Sequence, residues 1–279
     1  MSEYIIFDAL NTKLCIEPFM AAKTVLGRLF IANQTTQTEQ RDFGFEDYAL
    51  NPEAFAKNFA LVLAQAGKNG ESIIALENSS FYSLQYAKKY IENNPYIKNK
   101  IEKRLNPLEL TTDFLAKVVH VDDFLLTANV INSIEKNIKH TFENFKAAVY
   151  IGPNLNFTSN LNNSLNKLFG VMKLSRVHFD SELYPSGYDI YRYAPEIALK
   201  MAGTILSDAY DGGADFIITN DARTFYMFDT YRKKIEKSIG RQIPLYALTM
   251  SQVVLLALGE KDKKLLGFNA HKVKPTILE

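Results

Sequence analysis

One stretch of this chain is written twice. Glu71, Ile73-Ile74, Glu77, Ser80, Phe81, Tyr82, the bases Lys88-Lys89 and Ile91-Glu92 recur 144 residues later as Asp215, Ile217-Ile218, Asp221, Thr224, Phe225, Tyr226, Arg232-Lys233 and Ile235-Glu236. Met20–Gly27 against Asn163–Gly170 matches less closely, at the nearly equal offset of 143. A repeat of this length means one supersecondary layout used twice, so half the chain must be able to complete the fold. The reading divides the chain into homologous halves, residues 1–144 and 145–279.

Each half alternates strands with helices. Tyr4–Phe7 and Ala147–Ile151 are short apolar runs ending in turn-prone residues, the pattern of buried strands. The helical segments that follow are expected to stop at Gly27 and Gly170. Pro52 and Pro195 stand at the entry of helices over Glu53–Ala66 and Glu196–Tyr210, where a missing N–H costs least. In the second of these, Ile197, Met201, Ile205 and Ala209 predict one apolar stripe. Strands at Ile73–Leu76 and Phe216–Thr219 come next, after Gly70 and Gly212-Gly213. A last strand-to-helix step closes each half, with Asp122 and Thr249 as expected N-caps. Such alternation predicts the α/β class: two pseudo-symmetric repeated α/β domains with parallel sheets flanked by helices.

Composition narrows the function. Hydrophobic residues make up 47% and charged residues 23%, the balance of a soluble globular chain. A net charge of +1 supplies no excess field for phosphates, so nucleic acid and anionic membrane surfaces are not expected partners. The basic run Lys98, Lys100, Lys103, Arg104 reads as a solvated helix face. The first residues lack the basic region and long apolar stretch of a secretory signal. The longest apolar run, Val253–Leu258, is far short of the ~20 residues of a membrane span. A lone Cys15 allows no intramolecular disulfide and fits a reducing compartment, so a cytoplasmic protein is expected.

In open parallel sheets, ligands bind beyond the carboxyl ends of the strands, where loops enter the following helices. Those loops are residues 8–11, 77–80, 152–154 and 220–224. Around the later ones, Ala198–Asp229, Pro244–Gln252, Ala257–Gly259 and Leu266–Pro275 resemble the cysteine-rich subunit of heterodisulfide reductase. That subunit belongs to the CCG-domain family, with the related subunit of some succinate dehydrogenases and fumarate reductases. The resemblance spans nearly the whole chain, is clearest from about Tyr150 onward, and implies two repeated halves.

It also implies thiolates. Each half of the family carries a cysteine, a Cys-Cys-Gly and a Cys-x-x-Cys, which hold iron–sulfur clusters and in some halves zinc. This chain departs from the pattern throughout. The first-half slots fall on Leu10, near Gly44-Phe45, and on Glu77 and Ser80. The second-half slots fall on Pro153, Leu183-Tyr184-Pro185, and Asp221 and Thr224. Cys15 lies off every slot. No cofactor is expected, and the family's redox chemistry does not carry over.

The remaining constellations each have two readings. Asp221, Arg223 and Thr224, with Tyr184 and Asn154, form an anion or small-molecule pocket, or Asp221 or Thr224 simply caps the next helix. Glu77, Asn78, Ser79 and Ser80 are read as a cap. His178, Asp180 and Glu182 share one face if their segment is extended, which suits a hard metal, or they are merely a polar edge; no metal is expected. His120, His140 and His271 lack a second ligand at metal spacing. Tyr184, Tyr188, Tyr191 and Tyr193 line an interface or cover an emptied cluster cavity. A Gly-rich phosphate loop, HExxH and GxSxG are all absent. The expectation is a non-catalytic structural, assembly or regulatory partner of a redox complex. By analogy with the family, it would dock on flavoprotein or iron–sulfur subunits. The alternative is a small-molecule binder or enzyme reusing the vacated cavities.

Overall fold

A computed structural model describes residues 4–7, 16–29, 46–113, 115–153 and 160–278. Among them are two parallel sheets flanked by helices. The first holds β1 (Tyr4–Phe7), β2 (Ser72–Ala75) and β3 (Val118–His120), in that order. The second holds β4 (Lys146–Val149), β5 (Ser175–Val177), β6 (Phe216–Ile218) and β7 (Tyr246–Leu248), in the order β5-β4-β6-β7. Successive parallel strands require a crossover, and helices supply it.

The sheets share a layout. Ile5 pairs with Ile73 and Ile73 with Val118, as Ala147 pairs with Phe216 and Phe216 with Tyr246. The order β1-β2-β3 thus parallels β4-β6-β7, and β5 is an added edge strand. The helices Ile16–Arg28 and Asn160–Met172 begin 144 residues apart, and Pro52–Lys68 and Pro195–Asp211 begin 143 apart. By packing, the chain forms two compact units, Met1–Lys13 with Leu26–Phe124, and Leu14–Val25 with Leu125–Glu279.

In the first unit the Pro52–Lys68 helix is buried on two sides. Phe55, Phe59, Val62 and Leu63 meet the sheet residues Ile5, Phe7, Ile73, Ala75 and Val118. Its small residues Ala56, Ala60 and Ala64 admit Ile91, Ile97, Ile101 and Leu105 from the next two helices. In the second unit every residue of the Met250–Ala257 helix is buried. A capping box holds the start of that helix: Thr249 accepts from Gln252 N, and Gln252 accepts from Thr249 N.

Three local expectations need correction. Gly27 and Gly170 do not end their helices, which continue to Arg28 and Met172. Asp122 is not a cap, because the Val121–Leu125 helix begins before it. Its N–H instead donates to His120 Nδ1 at 3.1 Å. The stripe on Pro195–Asp211 is only half right. Ile205 and Ala209 are fully buried, whereas Ile197 is 58% exposed. A four-residue step drifts by about 40° around a helix, so three steps carry Ile197 well off the buried face. Ala198, Ala202 and Leu206 take the core positions. Among the described residues no helix is long and apolar enough to cross a membrane.

Candidate functional site

The order β5-β4-β6-β7 reverses direction beside β4, so the crevice at the carboxyl ends of β4 and β6 is the site a sheet of this kind offers. Residues 150–153 and 219–224 leave those ends. Tyr150 N donates to Ile218 O, and Ile151 N and Gly152 N both donate to Glu182 O, at 3.0 and 2.9 Å. The chain after β4 is therefore stitched to β6 and to the segment after β5.

Several described side chains then enter the crevice. Tyr150 is buried, and its hydroxyl donates to Tyr184 O at 2.6 Å. Its ring stands edge-on to Phe228, with centroids 5.2 Å apart. At Gly152, which has φ 72°, a Cβ would sit 3.1 Å from that ring, so a side chain there would be strained and would press on the ring. Burial, and then the charge of Asp221, push the Tyr150 phenol above its ordinary range. Across from it, Asp221 caps the Ala222–Thr230 helix, Oδ2 accepting from Thr224 N at 2.7 Å. Thr224 Oγ1 donates to Ser186 Oγ at 3.3 Å. Burial raises the Asp221 carboxyl, while the Thr224 donors and the Arg223 charge pull it down. Arg223 reaches Asp189 at 3.5 Å and lies over the Tyr188 ring, 5.9 Å from its centroid.

The structure thus brings Asp221 and Thr224 together through the cap, and joins Tyr184 to the same crevice through its carbonyl. The Tyr184 ring is 56% exposed and Leu183 is 47% exposed. Pro153 is exposed at the turn. In the first unit Glu77 caps the Asn78–Asn93 helix, accepting from Ser79 N at 2.9 Å and Ser80 N at 2.6 Å. Glu77 and Ser80 are both buried. Leu10, Gly44-Phe45, Cys15 and Asn154 lie outside the described residues.

His178, Asp180 and Glu182 do not share the face of a strand. The strand ends at Val177, and residues 180–183 turn. His178 Nδ1 lies 3.6 Å from Glu182 Oε2, which also meets Arg176 at 3.4 Å. Among the described residues no group of three side chains is placed to hold a metal.

A thiolate-ligated cluster does not fit the residues present. The described slot positions carry carboxylates, hydroxyls, two prolines and an exposed leucine, none of them a soft sulfur ligand, and Asp221 Oδ2 is turned to a backbone N–H.

Sequence reasoning missed Tyr150 and Ser186, whose partners lie 34 and 38 residues away. It read Tyr184, Tyr188, Tyr191 and Tyr193 as one group. Tyr191 in fact stacks on Tyr231 at 4.3 Å, with Lys234 Nζ 4.8 Å from the Tyr231 ring. Tyr193 stands 82% exposed.

Residues 188–272 match the family model of the HdrB-like C-terminal domain. Among solved structures, a hypothetical protein from Helicobacter pylori matches with a TM-score of 0.79 at 22% identity, over 99% of this chain and 53% of that one. The likeness is one of fold, and this chain spans about half the length of that protein. No curated protein matches.

Proposed function

We propose that this chain, with an HdrB-like C-terminal domain at residues 188–272, is a cluster-less, non-catalytic member of a duplicated α/β scaffold. In this reading it serves a redox complex as a structural, assembly or regulatory partner. The observation that carries it is the cap at Asp221. Where the resemblance requires a thiolate pair, Asp221 and Thr224 are spent on each other and on Ser186. The corresponding Glu77 and Ser80 are spent in the same way. A side chain held in a helix cap is oriented toward its own backbone, and turning it to a metal or substrate would leave that N–H unpaired. The same engagement disfavours reuse of the crevice as a small-molecule site built on Asp221, Arg223, Thr224 and Tyr184. The near-neutral charge favours protein over nucleic-acid partners, and the lone cysteine favours the cytoplasm. The partner class, a flavoprotein or iron–sulfur subunit, follows the family analogy.

The test has two arms. After anaerobic incubation with ferrous iron and sulfide, followed by desalting, the protein is expected to retain iron and sulfide only at background. Affinity purification from native cells is expected to bring down an identified flavoprotein or iron–sulfur subunit in fixed stoichiometry. Stoichiometric iron and sulfide, or purification without any redox subunit, overturns the proposal.

A further inference from the structure

At the other ends of the second sheet's strands lies a cavity of about 610 Å³. It is bordered by the junction of the Ala222–Thr230 and Arg232–Ile239 helices, by the residues leading into β7, and by Lys272-Val273. Its volume falls in the range of small-molecule sites.

The charges around it are unequal in their freedom. Asp229 is fully buried, and its carboxylate accepts from Lys272 N and Val273 N at 2.9–3.0 Å. Glu236 Oε1 accepts from Ile243 N at 3.0 Å. Both acids are therefore engaged by backbone donors. Arg232 is only 3% exposed and is held by neutral acceptors: Nε donates to Phe228 O at 3.0 Å, and Nη1 to Ile243 O at 2.7 Å and to Leu245 O. Its Nη2 has no hydrogen-bond partner. Burial lowers the Arg232 pKa to about 10, as expected of a cation whose charge is under-compensated. Lys233 and Lys272 stand exposed at the same cavity, and neither makes an ion pair among the described residues. Three cations thus stand against two acids that are hydrogen-bonded to backbone donors, an excess of one positive charge, beside the apolar surfaces of Pro244 and Val273.

We propose that this cavity binds a small organic anion, a carboxylate or phosphate ester with an apolar body. The charged end meets Lys233 and Lys272 in the field of Arg232, and the body lies against Pro244 and Val273. The site stands at the opposite strand ends from the crevice of Tyr150 and Asp221 and is independent of the scaffold role.

Calorimetric titration of the full chain tests this with phenyl phosphate, benzoate, benzyl alcohol and inorganic phosphate. At least one of the two aromatic anions is expected to bind, at least about tenfold tighter than benzyl alcohol or inorganic phosphate. Its affinity is expected to fall with salt. The double variant Lys233→Ala/Lys272→Ala changes only exposed side chains, so its melting temperature should hold while affinity drops about tenfold or more. Preference for phenyl phosphate assigns a phosphate ester, and preference for benzoate a carboxylate. Failure of both anions, equal binding of benzyl alcohol or inorganic phosphate, or undiminished binding by the double variant overturns the proposal.

Discussion

Gln252 Nε2 lies 2.9 Å from His271 Nε2, and this contact decides which nitrogen of the histidine carries its proton. The capping box commits Gln252 Oε1 to Thr249 N, so the amide nitrogen faces Leu266 O at 2.7 Å and the ring. An amide nitrogen can only donate, so His271 Nε2 accepts and the proton sits on Nδ1. That Nδ1 is buried without a hydrogen-bond partner, in a ring set edge-on to Phe225 at 5.0 Å.

Burial, with a smaller push from Lys274, lowers the His271 pKa from 6.5 to about 3. A group depressed in the folded state contributes stability that is complete above its unfolded pKa and drains away as pH falls toward the folded one. The window is therefore pH 6.5 down to about 3. His271→Phe removes the titration and keeps an aromatic ring between Phe225 and Phe268. Urea unfolding at about pH 7 and about pH 5 should show a loss smaller than wild type by roughly 1 kcal/mol or more. Equal losses would show that the ring is not buried neutral.

Asp122 has the opposite sign. Burial, and then the neighbouring Asp123, push its carboxyl from 3.8 up to about 8. Stability from the neutral acid is complete below about pH 4 and is lost as pH rises toward 8. Asp122→Asn should gain roughly 1–3 kcal/mol over wild type at alkaline pH, and nothing under acid conditions. Unfolding midpoints across that range provide the check, and a constant difference would count against a buried, titrating carboxyl.

Asp221→Ala should cost about 1 kcal/mol by leaving Thr224 N without its acceptor, whereas Asp221→Asn should stay within a few tenths. Denaturant unfolding at neutral pH separates the two. If alanine and asparagine behave alike, the cap is not what holds that loop.

Gly187→Ala should be among the most damaging single changes. The residue sits at φ 84°, and a Cβ there would lie 2.5 Å from Ala198 O, a backbone atom. Strain and clash together predict a loss of more than about 2 kcal/mol. A thermal melt reads the result directly, and a shift of under a degree or two would mean that the segment moves aside freely.

Much of this was legible in the sequence wherever the cause was local. Apolar runs located β1, β2, β4 and β6 within a residue or two, because a buried strand must be apolar on both faces. Glu77, Asp221 and Thr249 were legible as caps because a cap reaches only two or three residues forward. Long-range causes were hidden. Arg232 looked like half of a basic pair, yet it is buried, because carbonyls 11 and 13 residues away converge on it. Tyr150 looked like the end of a strand, but its hydroxyl ties down a carbonyl in a loop that the order of strands alone brings near. His178 and Glu182 failed as a strand face for a related reason: the turn at 180–183, which no local alternation announces, ends the pleat.

The Tyr150 staple also bears on whether a thiolate site could be installed at these positions. Writing cysteine at 221 and 224 would first remove a helix cap and the Thr224 contact to Ser186, each step a loss before any gain. The new thiols would still stand beside a phenol bound to the Tyr184 carbonyl and a turn at Gly152 packed close to its ring. Contacts made in a ligand's place turn its absence into a barrier to its return. At Asp221 and Thr224, then, a thiolate pair is held out by the same contacts that hold the loop in place.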